Sequence, residues 1–224
     1  MMRPLYYMFF VTFCSVAAAG CAPPSASGPV EWAGDRPAVV DDPYPLDGES
    51  RRAPGKKEPV CPHVQLVLYA GDVVPYHRPL KVSPFFRERL QRFEEVVRAV
   101  SIEVYDRPPA SIRHFGAYNC RRVRGTSHLS EHALGNAIDV SGFTFAADPM
   151  TPGPRGGAFT IWLEEHWDKR KGFEGTHARF LRALTERLAA RPDIFRGIIG
   201  PGAPGHDDHF HLDVGARYTL KVER

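Results

Sequence analysis

Between residues 83 and 100, Phe86, Leu90, Phe93, Val97 and Val100 recur at helical spacing. Such a stripe predicts a helix with one buried face. Ser83 is placed to cap it, and Pro84 suits its first turn. A second helix is predicted over 176–190, with Phe180, Leu181, Leu184 and Leu188 inward. Alternation takes over elsewhere. Residues 112–118 and 137–143 read as strands, and in the latter Ile138 and Val140 alternate with Asp139 and Ser141. Two more strands are predicted at 195–199 and 209–214, on either side of a GPGAPG turn at 200–205. Residues 144–175 carry Pro149, Pro152, Pro154, Gly153, Gly156 and Gly157, which predicts a long loop over one face. Helices and short strands do not alternate regularly. The predicted class is therefore α+β, a small antiparallel central sheet with flanking helices.

The N-terminus follows a different pattern. Arg3 precedes an apolar run from Leu5 to Val16, followed by the small residues 17–20. This reads as an export signal, too short for a membrane span. Its end, Ala18-Ala19-Gly20-Cys21, resembles a bacterial lipobox, in which the cysteine is lipidated and becomes the first mature residue. A cut near Ala19 would instead leave Cys21 free. Residues 22–60 have no apolar period and hold eight prolines. They read as a semi-extended tether, able to span about 100 Å at about 3.1 Å per residue. The expected organisation is a lipoprotein signal peptide at 1–20, a lipidated Cys21 with its tether at 21–60, and a folded domain at 61–218. The expected address is a membrane lipoprotein of the bacterial envelope, facing the periplasm or the outside. Ala22 is compatible with an outer membrane.

Composition then narrows the function. Lys+Arg 29 against Asp+Glu 26 is too even a balance to argue for nucleic acid. The chain has 4 cysteines. Cys14 leaves with the signal and Cys21 takes lipid, so Cys61 and Cys120 remain. In an exported protein two remaining cysteines suggest a disulfide. A metal thiolate pair is the rival. It is disfavoured because neither cysteine has a near Cys or His at ligand spacing, His63 being a weak exception.

Two segments gather polar groups. One is SEHALGNAID at 130–139 and the other HDDHFHLD at 206–213. Along a strand, period two puts His209, His211 and Asp213 on one face and Phe210 and Leu212 on the other. Asp139 sits between apolar Ile138 and Val140, where burying a carboxylate is costly without a positive partner. A zinc ion on His132, Asp139 and His211 answers that cost. Three protein ligands with an open fourth position are the catalytic pattern. A surface or satisfied-core reading of the HxH pair is the alternative.

SEHALGNAID also matches the SxHxxGxAxD pattern of zinc D-alanyl-D-alanine peptidases and murein endopeptidases, which share the hedgehog-like metal fold. DDHFH resembles their second signature. YNCR, SEHALGNAIDVSGF, IIGPG and HDDHFHLD are more closely similar to the bacterial extensin-like C-terminal domain family, over residues 61–214. The resemblance implies His132, Asp139 and His211 as zinc ligands. It implies Asp208 as general base, His209 as a neighbour that steadies the transition state, and Arg121 as a substrate contact. Ser130 opens the motif and supports the site by hydrogen bonding. Asp208 would point away from His211 in a regular strand, so a bend is expected there.

Other polar residues carry blander expectations. His206 and Asp207 read as turn residues, and Asp213 as a structural acceptor with a possible role behind a ligand histidine. His128 lies off the motif. Trp162 and Trp167 read as loop anchors or a groove lining. His114, His166 and His177 read as ordinary surface or helix positions, and Arg121, Arg122 and Arg124 as a solvated edge. The expected activity is zinc-dependent cleavage of peptidoglycan stem peptides or cross-links by a membrane-anchored enzyme. The alternatives are a non-catalytic zinc module that binds peptidoglycan and a structural envelope lipoprotein.

Overall fold

The computed structural model describes residues 59–153 and 156–223. The expected signal peptide, the expected lipidation site Cys21 and most of the expected tether lie outside them. Among the described residues no helix is long and apolar enough to cross a membrane.

Helix α1 (Pro84–Tyr105) starts where its sequence says it should. Ser83 Oγ accepts from the Phe86 N–H, and Pro84 occupies the first turn, where no intrahelical N–H is needed. The stripe Phe86, Leu90, Phe93, Val97 and Val100 is wholly buried. At about 2 kcal/mol per side chain, that face supplies on the order of 10 kcal/mol of transfer free energy. The helix runs past residue 100 because Tyr105 continues the stripe; it ends at Asp106 in the left-handed region. Helix α3 (Gly172–Ala189) buries Phe180, Leu181, Leu184 and Leu188, as the periodicity predicts, but begins earlier than 176.

The strands form two sheets. Strands β1 (Val67–Tyr69) and β2 (Leu80–Val82) make an antiparallel pair that the sequence reading missed. The main sheet contains β3 (Ser111–Gly116), β4 (Ala137–Phe145), β5 (Phe159–Trp162), β6 (Gly197–Ile199), β7 (Phe210–Asp213) and β8 (Thr219–Lys221). Its order is β3-β4-β7-β6-β8, with β5 also on β4. The α+β class therefore holds. Two expectations are corrected. The sheet is not wholly antiparallel, because β8 joins β6 in parallel, beyond the expected limit at 218. The stretch 144–175 is not simply a loop, because it contains β5 and the short helix α2 (Leu163–His166). Aromatic packing drives that local order: Phe159 stacks on Phe145 at 4.7 Å and Ile161 is buried.

One irregularity positions the site. Val140 lies opposite His114 and Gly142 opposite Arg113, so Ser141 is an extra residue in β4. Such a bulge switches the faces of the strand on either side of it. Phe143 can then pack edge-on against Phe180 of α3, at 5.1 Å, while Asp139 faces a cleft on the other side. Strict alternation would have put both on one face.

Helix α1 also carries a buried carboxylate. Glu94 Oε1 accepts from the Tyr69 hydroxyl at 2.6 Å, and Oε2 accepts from the N–H groups of Asp72, Val73 and Val74 at 3.0, 2.7 and 3.3 Å. Burial pushes its pKa up against these bonds. Glu94 thus staples the turn after β1 to the helix. Glu94→Ala strands several buried donors, and urea unfolding is expected to show a loss of about 3 kcal/mol or more. Glu94→Gln, which keeps an acceptor, should lose less.

Candidate metal centre

His132 lies on a tight 3-10 turn, Glu131–Leu134. Ser130 is buried and caps the turn, its Oγ accepting from the His132 N–H at 3.4 Å. Gly135 closes the turn with φ 69°. A Cβ there would lie 2.6 Å from Leu66 Cδ2 and 2.9 Å from the Ser83 nitrogen, so the motif needs glycine. The His132 Nδ1–H donates to the Ala117 carbonyl, which turns Nε2 toward β4.

Asp139 and His211 meet through strand register. They are directly paired across β4 and β7. A one-residue slip would send one of them to the opposite face. Asp139 Oδ1 lies 3.1 Å from His132 Nε2 and 3.0 Å from His211 Nδ1, and the two nitrogens are 3.1 Å apart. Three donors of metal-ligand type thus form a nearly equilateral triangle. Tetrahedral zinc, with bonds of about 2.0–2.2 Å, sets its ligands about 3.3 Å apart. The donor set and its spacing fit zinc closely.

The third candidate ligand has support behind it. His211 Nε2–H donates to Asp213 Oδ2 at 2.9 Å, and Asp213 Oδ1 accepts from the Gly215 N–H at 2.7 Å. A carboxylate behind a ligand histidine fixes its tautomer and raises its basicity. Gly197 makes room for that carboxylate; a Cβ there would lie 2.3 Å from Asp213 Oδ2. The electrostatics follow from this crowding. Burial works against the charged form of His211, but bonds to Asp139 and Asp213 push its pKa up to about 9. Burial likewise opposes ionised Asp139, yet bonds from His132 and His211 hold its carboxyl well below the usual range.

Asp208 and His209 precede β7 in a turn, so the expected bend is present. Asp208 Oδ1 is 2.6 Å from His209 Nδ1, and His209 Nε2 is 3.7 Å from Asp139 Oδ1. His209 therefore faces the triangle, and Asp208 reaches it through His209. The exposed Phe115 packs edge-on against His209 at 5.6 Å. Arg121, Arg124, His128, His206 and His209 line a cleft of about 1070 Å³ that Asp139 and His211 also border. Asp208 is not among its lining residues.

Some expectations need correction. His206 keeps its turn position, with Nδ1 3.1 Å from the Pro204 carbonyl, and also borders the cleft with its ring 5.0 Å from that of His209. His177 lies on α3, a helix position as expected, but is buried, and His114 is buried on β3 rather than at a surface or helix position. Trp162 and Trp167 do not line the cleft. Each instead lies under a guanidinium at 4.6 Å, Trp162 under Arg113 and Trp167 under Arg182. Only the fold shows His206 beside the candidate ligands, its ring 6.1 Å from that of His211.

Cys61 and Cys120 form a disulfide. Cys61 packs against Leu129 and Ala133, next to His132. The bridge thus ties the folded start of the domain to the segment just before His132, the first candidate ligand. The family model for the extensin-like protein C-terminus matches residues 48–223. The chain belongs to this family. No curated protein and no solved structure matches it. In this extensin-like domain the disulfide closes a loop with a sequence separation of 59. Replacing both cysteines by serine should lower stability by about 4 kcal/mol in the chain-entropy account, measured by urea unfolding.

Proposed function

We propose that this extensin-like domain is a zinc-dependent peptidase that acts on peptidoglycan stem peptides or cross-links, with the hedgehog-like metal fold and a lipid anchor at Cys21. The triangle of His132 Nε2, Asp139 Oδ1 and His211 Nδ1 carries the reading. These three residues would hold the ion. Bound zinc supplies a Lewis acid for the scissile carbonyl and lowers the pKa of water. The chain supplies the proton handling. Asp208 fixes the Nδ1 side of His209, which leaves Nε2 as the nitrogen presented toward the reacting groups. The pair can take a proton from the nucleophile and return it to the leaving amine. Arg121, in the cleft wall, is placed to hold the peptide or its developing oxyanion.

One observation favours a second reading. The Asp208 side chain is turned to His209 and is 46% exposed. A zinc module that binds peptidoglycan without cleaving it needs no base there.

The test is to load the domain with zinc and incubate it with muropeptides. Cleavage is expected. Asp208→Asn should keep zinc and lose about 10²–10⁴-fold in turnover. No cleavage by zinc-loaded protein, or His211→Ala indistinguishable from wild type, would sink the peptidase reading. Unchanged peptidoglycan affinity and biological function in Asp208→Asn would favour binding.

A further inference from the structure

Three arginines converge on the cleft beside the ligands: Arg121, Arg124 and Arg217. Among the described residues none of their guanidinium groups has an ion pair or hydrogen bond. Most arginines elsewhere among the described residues are engaged. Arg187 pairs with Glu103 at 3.0 Å and Arg191 with Asp193 at 2.7 Å. Arg98 and Arg179 also stand without partners, but each stands singly on its helix, whereas Arg124 and Arg217, exposed like them, share one cleft with Arg121.

The carboxylates that border the cleft do not offset these charges. Asp139 is held by His132 and His211, and Asp213 by His211 and the Gly215 N–H. Glu131 is engaged as well. Arg124 reaches toward the turn at 200–205, where a Cβ on Gly205 would lie 4.0 Å from its Nη1. His206 follows that turn and stacks near His209, so Arg124 flanks the proposed proton-handling pair. Arg217 comes from the segment between β7 and β8, just beyond Asp213.

Unpaired guanidiniums gathered in one cleft repel each other. A carboxylate relieves that repulsion and accepts a two-pronged, charge-assisted hydrogen bond. A neutral strand leaves each arginine without a partner. We propose that the cleft takes a peptide strand bearing two or more carboxylates, and that Arg124 and Arg217 select it. This rests on the peptidase reading and narrows its substrate class. Arg124 and Arg217 are specificity residues and carry no step of the hydrolysis.

The probes are a fluorescent peptide with several free side-chain carboxylates and its amidated twin. Binding to the zinc-loaded protein is read by anisotropy, and cleavage by mass spectrometry in parallel. The carboxylate peptide should bind at least about 10-fold tighter, the scale of one charge-assisted bond. Arg124→Gln and Arg217→Gln should each cut its affinity by about 10-fold, with no change for the amidated twin and none in zinc content. Added salt should weaken only the carboxylate peptide. Equal binding of the two peptides overturns the proposal. So does displacement by polyphosphate as effective as by unlabelled carboxylate peptide, which marks a general anion surface. Cleavage of both peptides without preference overturns this proposal and leaves the peptidase reading standing. A carboxylate preference without cleavage supports this ligand class and removes the peptidase reading.

Discussion

Asp139→Asn is expected to yield a folded protein that no longer retains zinc. Asp139 is the only one of the three proposed ligands with a formal negative charge, and its Oδ1 is within 3.1 Å of both ligand nitrogens. The amide keeps the volume and removes the charge. Loss of a partner behind a ligand costs about 10–100-fold in metal affinity, and loss of a ligand should cost more. Asp213→Asn supplies the internal comparison, because Asp213 touches His211 and not the ion. Its expected cost is the smaller, about 10–100-fold. The fold should survive both changes. Ile138, Val140, Phe210 and Leu212 are buried at the β4–β7 pairing whatever stands at 139. Elemental analysis after dialysis against a limiting chelator, with circular dichroism on the same samples, reads both outcomes. Stoichiometric zinc on Asp139→Asn would remove Asp139 from the ligand set.

The candidate ligand set was legible because its parts are local. The spacing in SEHALGNAID puts His132 on a turn and Asp139 on the following strand, and HFH puts His211 on another. What brings the parts together is not local. The bulge at Ser141 lets Asp139 face the cleft while Phe143 faces α3, and simple alternation hides it. Strand β5 was missed because FTIW is short and preceded by glycine and proline signals; its order comes from pairing with β4, where Phe159 stacks on Phe145. Strand β8 likewise has little apolar pattern and is held by pairing with β6. His206 and Arg217 look like loop polarity in the sequence. Their meaning comes from the cleft they share. Helices α1 and α3 lie at the opposite extreme, since each writes its burial into its own periodicity.

Acid should destabilise the domain between about pH 6.5 and pH 4. His114 and His177 are buried, and burial lowers the pKa of each to about 4. The causes are visible in the packing. His114 Nε2–H donates to the Arg78 carbonyl at 3.1 Å, but its Nδ1 is buried without a partner. A second proton would sit there unsatisfied, with His77 at 4.6 Å between ring centres and Arg78 close by. His177 Nδ1 accepts from the Tyr105 hydroxyl at 2.7 Å, amid Phe159, Phe173 and His166. Protonation would place a charge in this buried pocket, beside His166. The unfolded chain binds these protons near pH 6.5 and the folded chain near pH 4. Stability is therefore complete above about pH 6.5 and falls as the pH drops toward 4. At pH 5 each histidine should cost about 2 kcal/mol, and the pair about 4 kcal/mol, a large share of a usual stability of about 5–15 kcal/mol. His211 has the opposite sign. Its folded pKa is raised to about 9, so in metal-free protein its contribution persists in acid and is lost as the pH rises through 9. Urea unfolding of metal-free protein at pH 7 and pH 5 separates these contributions. His114→Gln and His177→Gln should each flatten the pH dependence by about 2 kcal/mol, and the double variant by about 4 kcal/mol, with His211 unchanged throughout. A double variant that loses as much stability between the two pH values as wild type would place the acid sensitivity elsewhere.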